Sequence, residues 1–147
     1  MPIIEHLESQ GLVRPNQHGF VSGRSTQTQL LQHYSDVYEA LEEGIRLDTV
    51  YLDFVKAFDK VDHNILIKKI VDHKIKGKVA IWIKSFLQER KYIVIANGVV
   101  SEEQEVLSGV PQGTVLAPIL FIIMISDIAF MVDYNLHNHF VGLPRVF

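Results

Sequence analysis

Hydrophobic and polar residues alternate along this chain in two rhythms. After Thr26, Leu30, Tyr34, Val37, Tyr38 and Leu41 fall three and four apart, the spacing of one helix face. Thr26 with Gln29 has the form of a capping box and Gly44 supplies a stop, so this spacing predicts a helix between them. Over residues 48–54 the rhythm becomes strict alternation, Val50, Leu52 and Phe54 against Thr49, Tyr51 and Asp53, which predicts a strand. Helical spacing then returns. Asp62 can cap a helix running to Asp72 on Ile65, Leu66, Lys69 and Ile70, and Gly77 precedes another that carries Val79, Trp82, Ile83, Phe86 and Leu87. Residues 92–96 and 99–106 read as two strands joined by Asn97-Gly98, the favoured pair for a two-residue hairpin turn.

The remaining stretches complete an α+β chain with two helix-rich blocks around a small antiparallel sheet. Residues 2–10 form a short helix ending at Gly11, and residues 12–23 read as a loop carrying Pro15, Asn16, Gly19 and Gly23. A loop over 108–113 leads into a last apolar helix, and residues 134–147 show no period. Residues 115–132 are nearly long enough to span a bilayer, but Pro118 and Asp127 interrupt them and the unbroken run from Ile119 to Ile125 is short. A buried core helix, and no membrane segment, is expected there.

Composition narrows the function. The 147 residues suit one domain, and 48% hydrophobic against 21% charged residues fits a folded chain. Fourteen basic against 17 acidic residues give a net charge of -3, which argues against a freestanding nucleic-acid binder. With no cysteine there is no disulfide, thiolate-held metal or thiol catalysis. No basic, then apolar, then small-residue pattern opens the sequence, so a secretory leader is not expected.

Three stretches carry candidate chemistry. Asp53 lies on the opposite side of its strand from Val50, Leu52 and Phe54, where a rigid carboxylate suits a hard cation such as Mg²⁺; on spacing alone a cap or a solvated charge is the commoner role. Phe58, five residues on, is either core or a platform for a nucleotide sugar. Asp59 and Asp62 read as helix caps, and His63, with no second ligand at metal spacing, as a surface or packing histidine. In Ser-Gly-Val-Pro-Gln-Gly, residues 108–113, the glycines permit close backbone approach and Gln112 can hydrogen-bond a base, sugar or backbone. Residues 16–26 contain one guanidinium, Arg24, which can reach phosphates or merely close a surface loop.

In order and spacing these stretches resemble the reverse transcriptase domain of non-LTR retrotransposons. NQHGFVSGRST is similar to that family's QxGFRxGRST, YLDFVKAFDKVDH to FLDFSKAFDxVDH, and SGVPQGTVLAPILF followed by Ser126-Asp127-Ile128 to GVPQGSVLGPLLF with its INDL-type turn. Gly77, Trp82, Leu87, Arg90, Gly98 and Ser101 match its intervening GxxxxxxW, LxxR and GxxS, so the likeness covers roughly residues 4–128. It implies a partial right-hand palm over about 48–133 and part of the fingers over about 1–47, with 134–147 as a tail. It implies RNA-directed DNA synthesis by two-metal nucleotidyl transfer, with Mg²⁺, a template-primer of RNA and DNA, and deoxynucleoside triphosphate, in an intracellular setting. By this likeness Asp53 is the first catalytic carboxylate, with the Phe54 backbone carbonyl as a further metal ligand. Phe58 is the gate at the sugar 2′ position, Pro111, Gln112 and Gly113 line nucleotide and template, and Arg24 approaches template or triphosphate.

The sequence departs from the family pattern in three ways. Val21 stands where the family has arginine, and no paired-Asp motif of the FADD or YADD type follows the last helix. The chain is also expected to begin and end inside the domain. An incomplete carboxylate set predicts a chain inactive by itself. The alternatives are a non-catalytic nucleic-acid-binding or assembly module, with a protein partner completing the palm, and a retroelement relic without function.

Overall fold

The computed structural model describes residues 2–127, apart from residues 12, 14–16, 50 and 52. The residues expected to form the tail lie outside the described residues, as does the apolar stretch beyond residue 127. The chain divides into two compact units, one of Met1–Val55 with Ile125–Phe147 and one of Lys56–Met124. Its described elements are helices and small antiparallel ladders, the expected α+β composition.

The first unit carries α1 (Pro2–Ser9) and α2 (Thr26–Glu42). The capping box of α2 lies one residue earlier than the sequence pattern suggests. The Thr28 amide donates to Ser25 Oγ at 3.2 Å, and the Ser25 amide to Thr28 Oγ1 at 2.9 Å. Ser25 holds the extended backbone a cap requires, whereas Gln29, the expected box partner of Thr26, is buried with only 1% of its surface exposed. At the other end Ile45 N bonds Ala40 O and Gly44 N bonds Leu41 O, closing a Schellman motif at the expected glycine.

Two features of this unit turn on a cover missing among the described residues. The stripe of Leu30, Tyr34, Tyr38 and Leu41 is exposed, and the helix buries Gln29 and Asp36 instead. Periodicity identifies an apolar face but not what covers it. The alternating segment 48–54 is not a strand at any described position, and Tyr51 is 81% exposed. A strand needs a neighbour for its N–H and C=O groups, and among the described residues no ladder includes this segment.

The second unit holds α3 (His63–Asp72), α4 (Lys78–Leu87), four two-residue strands and α5 (Ala117–Ile125), the last residue of which belongs to the first unit. Asp62 caps α3 as expected, its Oδ1 accepting from the Asn64 amide at 2.8 Å and the Ile65 amide at 3.0 Å. Leu66 and Ile70 of α3, Ile83 and Leu87 of α4, and Leu120 and Ile123 of α5 are fully buried. The helix α5 is apolar on all sides, as a buried helix should be. Lys69 of α3 donates to the Met124 carbonyl, placing a cation at the C-terminal end of α5. No described helix is long and apolar enough to cross a membrane.

The expected hairpin forms, but it is broken in the middle. β2 (Ile95–Ala96) pairs with β3 (Val99–Val100) across Asn97-Gly98, both at positive φ as a type I′ turn requires. β1 (Lys91–Tyr92) pairs with β4 (Gln104–Glu105) in a register one residue out of step with that pair, so the returning strand carries a bulge. Ser101 fills the break, its Oγ accepting from the Val94 amide at 2.9 Å. Every residue of the four strands is exposed, so the ladder stands out from the helices instead of packing on them as the sequence suggested.

Stability should follow burial in this unit. Leu66→Ala is expected to cost about 2–5 kcal/mol, and Asp62→Ala, which removes only a cap, about 1 kcal/mol. Urea unfolding of the two variants should give that order.

Candidate functional site

Two loops of the second unit are fastened to each other. The turn 56–61 leads into α3, and the loop 108–113 leads into α5. The Gly109 amide donates to Val61 O at 2.8 Å and the Val110 amide to Phe58 O at 2.8 Å. Ser108 Oγ donates to Asp59 O at 2.8 Å, and Gln112 Nε2 to Asp59 Oδ1 at 2.9 Å. These four bonds pair the segment following Asp53 with the Ser-Gly-Val-Pro-Gln-Gly loop. Asp59 is thus a receptor for that loop, not the helix cap the sequence suggested.

Only glycine fits at position 109. Its φ is +85°, and a Cβ there would lie 2.8 Å from both Cα and O of Asp59, which are backbone atoms with little freedom to move. Gly113 also has positive φ, at +79°, but a Cβ there meets nothing within 4 Å.

The Gly109 carbonyl accepts two further bonds, from Arg90 Nη2 at 2.7 Å and from His63 Nε2 at 2.8 Å. A carbonyl only accepts, so His63 must carry its proton on Nε2 in this arrangement. Arg90 Nε donates in turn to Leu87 O at 3.0 Å, which ties the guanidinium to the end of α4. Partial burial lowers the Arg90 pKa from its ordinary value, but a guanidinium stays charged. An open cleft of about 560 Å³ adjoins this clasp, lined by Asp59, Arg90, Tyr92, Glu105 and Gln112 among others.

The sequence-predicted residues divide between the two units. Phe58 is buried and stacked on Phe121 at 4.9 Å between ring centroids, with 28° between the planes. Gln112 is exposed at the cleft, beside Pro111, and Gly113 makes the turn towards α5. Thr114 follows, its Oγ1 accepting from the Ala117 amide at 3.2 Å. Asp53, Phe54 and Arg24 belong to the first unit. Asp53 is exposed in a segment without regular structure. Arg24 Nη1 donates to Gln17 O at 2.6 Å, bracing its own loop. Val21, the departure from the family arginine, is buried.

Sequence reasoning missed His63 and Arg90 as parts of the site. The signals were present, a histidine just after a cap and an arginine in an LxxR pattern. Their convergence on one carbonyl, 46 and 19 residues away in sequence, required the fold. Among the described residues, no three or more His, Cys, Asp or Glu side chains gather where they could hold a metal ion.

Comparison with known proteins gives a consistent likeness. Residues 2–141 match the profile of the family described as "Reverse transcriptase (RNA-dependent DNA polymerase)". The chain is 32% identical over 128 residues to the "Probable RNA-directed DNA polymerase from transposon X-element" of Drosophila melanogaster, covering 85% of this chain and 14% of that protein. It is 36% identical over 111 residues to the "RNA-directed DNA polymerase from mobile element jockey" of Drosophila funebris, covering 76% of this chain and 12% of that protein. The chain therefore spans about one seventh or less of the curated relatives it matches. No solved structure matches it.

The two glycines of the loop should respond differently to alanine. Gly109→Ala adds a backbone clash to an unfavourable φ and is expected to cost roughly 3 kcal/mol or more. Gly113→Ala meets open space and should cost only about 1–2 kcal/mol. Denaturant unfolding of both variants checks the difference.

Proposed function

The chain belongs to the reverse transcriptase (RNA-dependent DNA polymerase) family of non-LTR retrotransposons, and from that premise we propose that it is the template- and nucleotide-facing part of a polymerase that performs RNA-directed DNA synthesis. The observation that carries this reading is the clasp between loop 108–113 and turn 56–61, which sets Gln112 at an open cleft. In this reading the chain comprises part of the fingers and part of the palm. Pro111, Gln112 and Gly113 face template and incoming nucleotide, and Arg24 approaches template or triphosphate. Phe58 forms the floor beneath the sugar, its ring fixed by Phe121.

Asp53 is the first catalytic carboxylate of the parent enzyme. Its carboxylate and the Phe54 carbonyl are oxygen donors of the kind Mg²⁺ prefers, and the ions when bound polarise the transferring phosphoryl group. Two ions about 4 Å apart need several converging carboxylates. The described residues bring no such group together, and the 147 residues contain no Asp-Asp pair. Among the described residues the donor set does not fit a two-metal centre, and we infer that this chain alone does not polymerise.

A second reading, a module completed by another polypeptide, is favoured by the apolar face of α2, where Leu30, Leu31, Tyr34, Tyr38 and Leu41 all lie exposed. Sizing at increasing concentration is expected to show association; a monodisperse monomer throughout would remove this reading.

The functional reading makes two measurable claims. Primer extension with Mg²⁺ should give no product above background, and extension abolished by Asp53→Ala would overturn the inactivity. A labelled RNA–DNA primer-template at physiological salt should bind weakly, near the ~10⁻⁴–10⁻⁶ M typical of non-specific contacts, and Gln112→Ala should weaken it further. No binding at any salt concentration would contradict the template-facing role.

A further inference from the structure

Among the described residues lining the cleft Arg90 alone carries a guanidinium or ammonium group, and two of its five N–H donors are held by backbone carbonyls. Nε is directed to Leu87 O and Nη2 to Gly109 O. The same cleft is lined by two carboxylates, Asp59 and Glu105, which oppose an approaching phosphate. His63, buried at the start of α3, reaches the same Gly109 carbonyl from another element. The carbonyl is therefore gripped by side chains from the segment after α4 and the start of α3, while its own residue's amide is held by Val61 O. Three residues later Gln112 meets Asp59.

We propose that Arg90 and His63 are positioning residues: they fix the Gly109 carbonyl, and through it the presentation of Gln112 at the cleft, without touching nucleic acid themselves. This rests on the reading of Gln112 as template-facing. A lysine at position 90 would keep the charge but not the two-pronged geometry, because an ammonium is a point donor and cannot span two carbonyls as the planar fork does. A glutamine at position 63 would keep a donor close to the place of Nε2, and an alanine would not.

The test combines amide hydrogen exchange on the full chain with binding of an RNA–DNA primer-template as a function of salt. In Arg90→Ala the Gly109 and Val110 amides should exchange about tenfold faster, the scale of one lost charged hydrogen bond. The amides of Leu66 and Ile70 should keep wild-type protection. Affinity should fall about tenfold with an unchanged salt slope, since no phosphate contact is removed. Arg90→Lys should behave like Arg90→Ala. His63→Gln should stay near wild type, and His63→Ala should repeat the Arg90→Ala result.

Restoration of affinity by Arg90→Lys, or a salt slope reduced by about one in Arg90→Ala, would overturn the proposal in favour of a direct phosphate contact. Unchanged exchange at Gly109 and Val110 in Arg90→Ala would overturn it as well. If Arg90→Ala loses α3 protection and so fails to fold, the His63→Ala and His63→Gln pair gives the decision. If the wild-type chain binds no nucleic acid, the functional reading falls, while the exchange measurement still decides whether these side chains hold the loop.

Discussion

The second unit depends on one close approach. Gly109 lies so near the backbone of Asp59 that no side chain fits between them. That proximity brings the Gly109 and Val110 amides within reach of Val61 O and Phe58 O, and Ser108 and Gln112 within reach of Asp59. It also turns the Gly109 carbonyl towards Arg90 and His63. Polar loops are ordinarily the loosest parts of a domain. Here two of them share a dense set of hydrogen bonds, and the Phe58–Phe121 stack lies beneath. Both loops also run straight into helices of the core, so the site is built on rigid elements.

The clasp contrasts with the apolar surface elsewhere. On α2, leucine and tyrosine side chains that would ordinarily build a core are open, and the hairpin exposes Ile95, Val99 and Val100. Burying such side chains is worth about 1.5–3 kcal/mol each, so leaving them uncovered forgoes much of the stability available to the chain. The described residues of the alternating segment around Asp53 join no ladder. The uncovered faces and the segment around Asp53 belong to the unit that carries Asp53 or to the hairpin. The glycine loop, the more self-sufficient element, is the one that carries the functional reading.

Much of this was legible in the chain, for physical reasons that differ by element. Asp62 before an apolar helical run and Asn97-Gly98 between two β-rich runs are local signals, and local signals determine local structure. Both elements form. Ser25 displaced Thr26 as the cap because neighbouring hydroxyl residues can each play the part, and the choice falls to the one with extended backbone. The strand expected over 48–54 is absent at its described positions, and the apolar face of α2 is exposed, because each depends on a partner that periodicity does not identify. Of the candidate residues, the spacing of the Pro-Gly loop and its likeness to a family drew attention to Gln112, and the structure gives it a partner in Asp59. Phe58 was open between core and platform, and it is buried. His63 and Arg90 escaped notice because the carbonyl on which they converge, that of Gly109, is distant from both in sequence.

The most direct test of the central clasp is a measurement of scalar couplings across its hydrogen bonds by solution NMR. Couplings should be detected from the Gly109 amide nitrogen to the Val61 carbonyl carbon and from the Val110 amide nitrogen to the Phe58 carbonyl carbon, with intensities like those within α3. Absence of both couplings, while those of α3 remain visible, would mean that the two loops are not joined and would contradict the account.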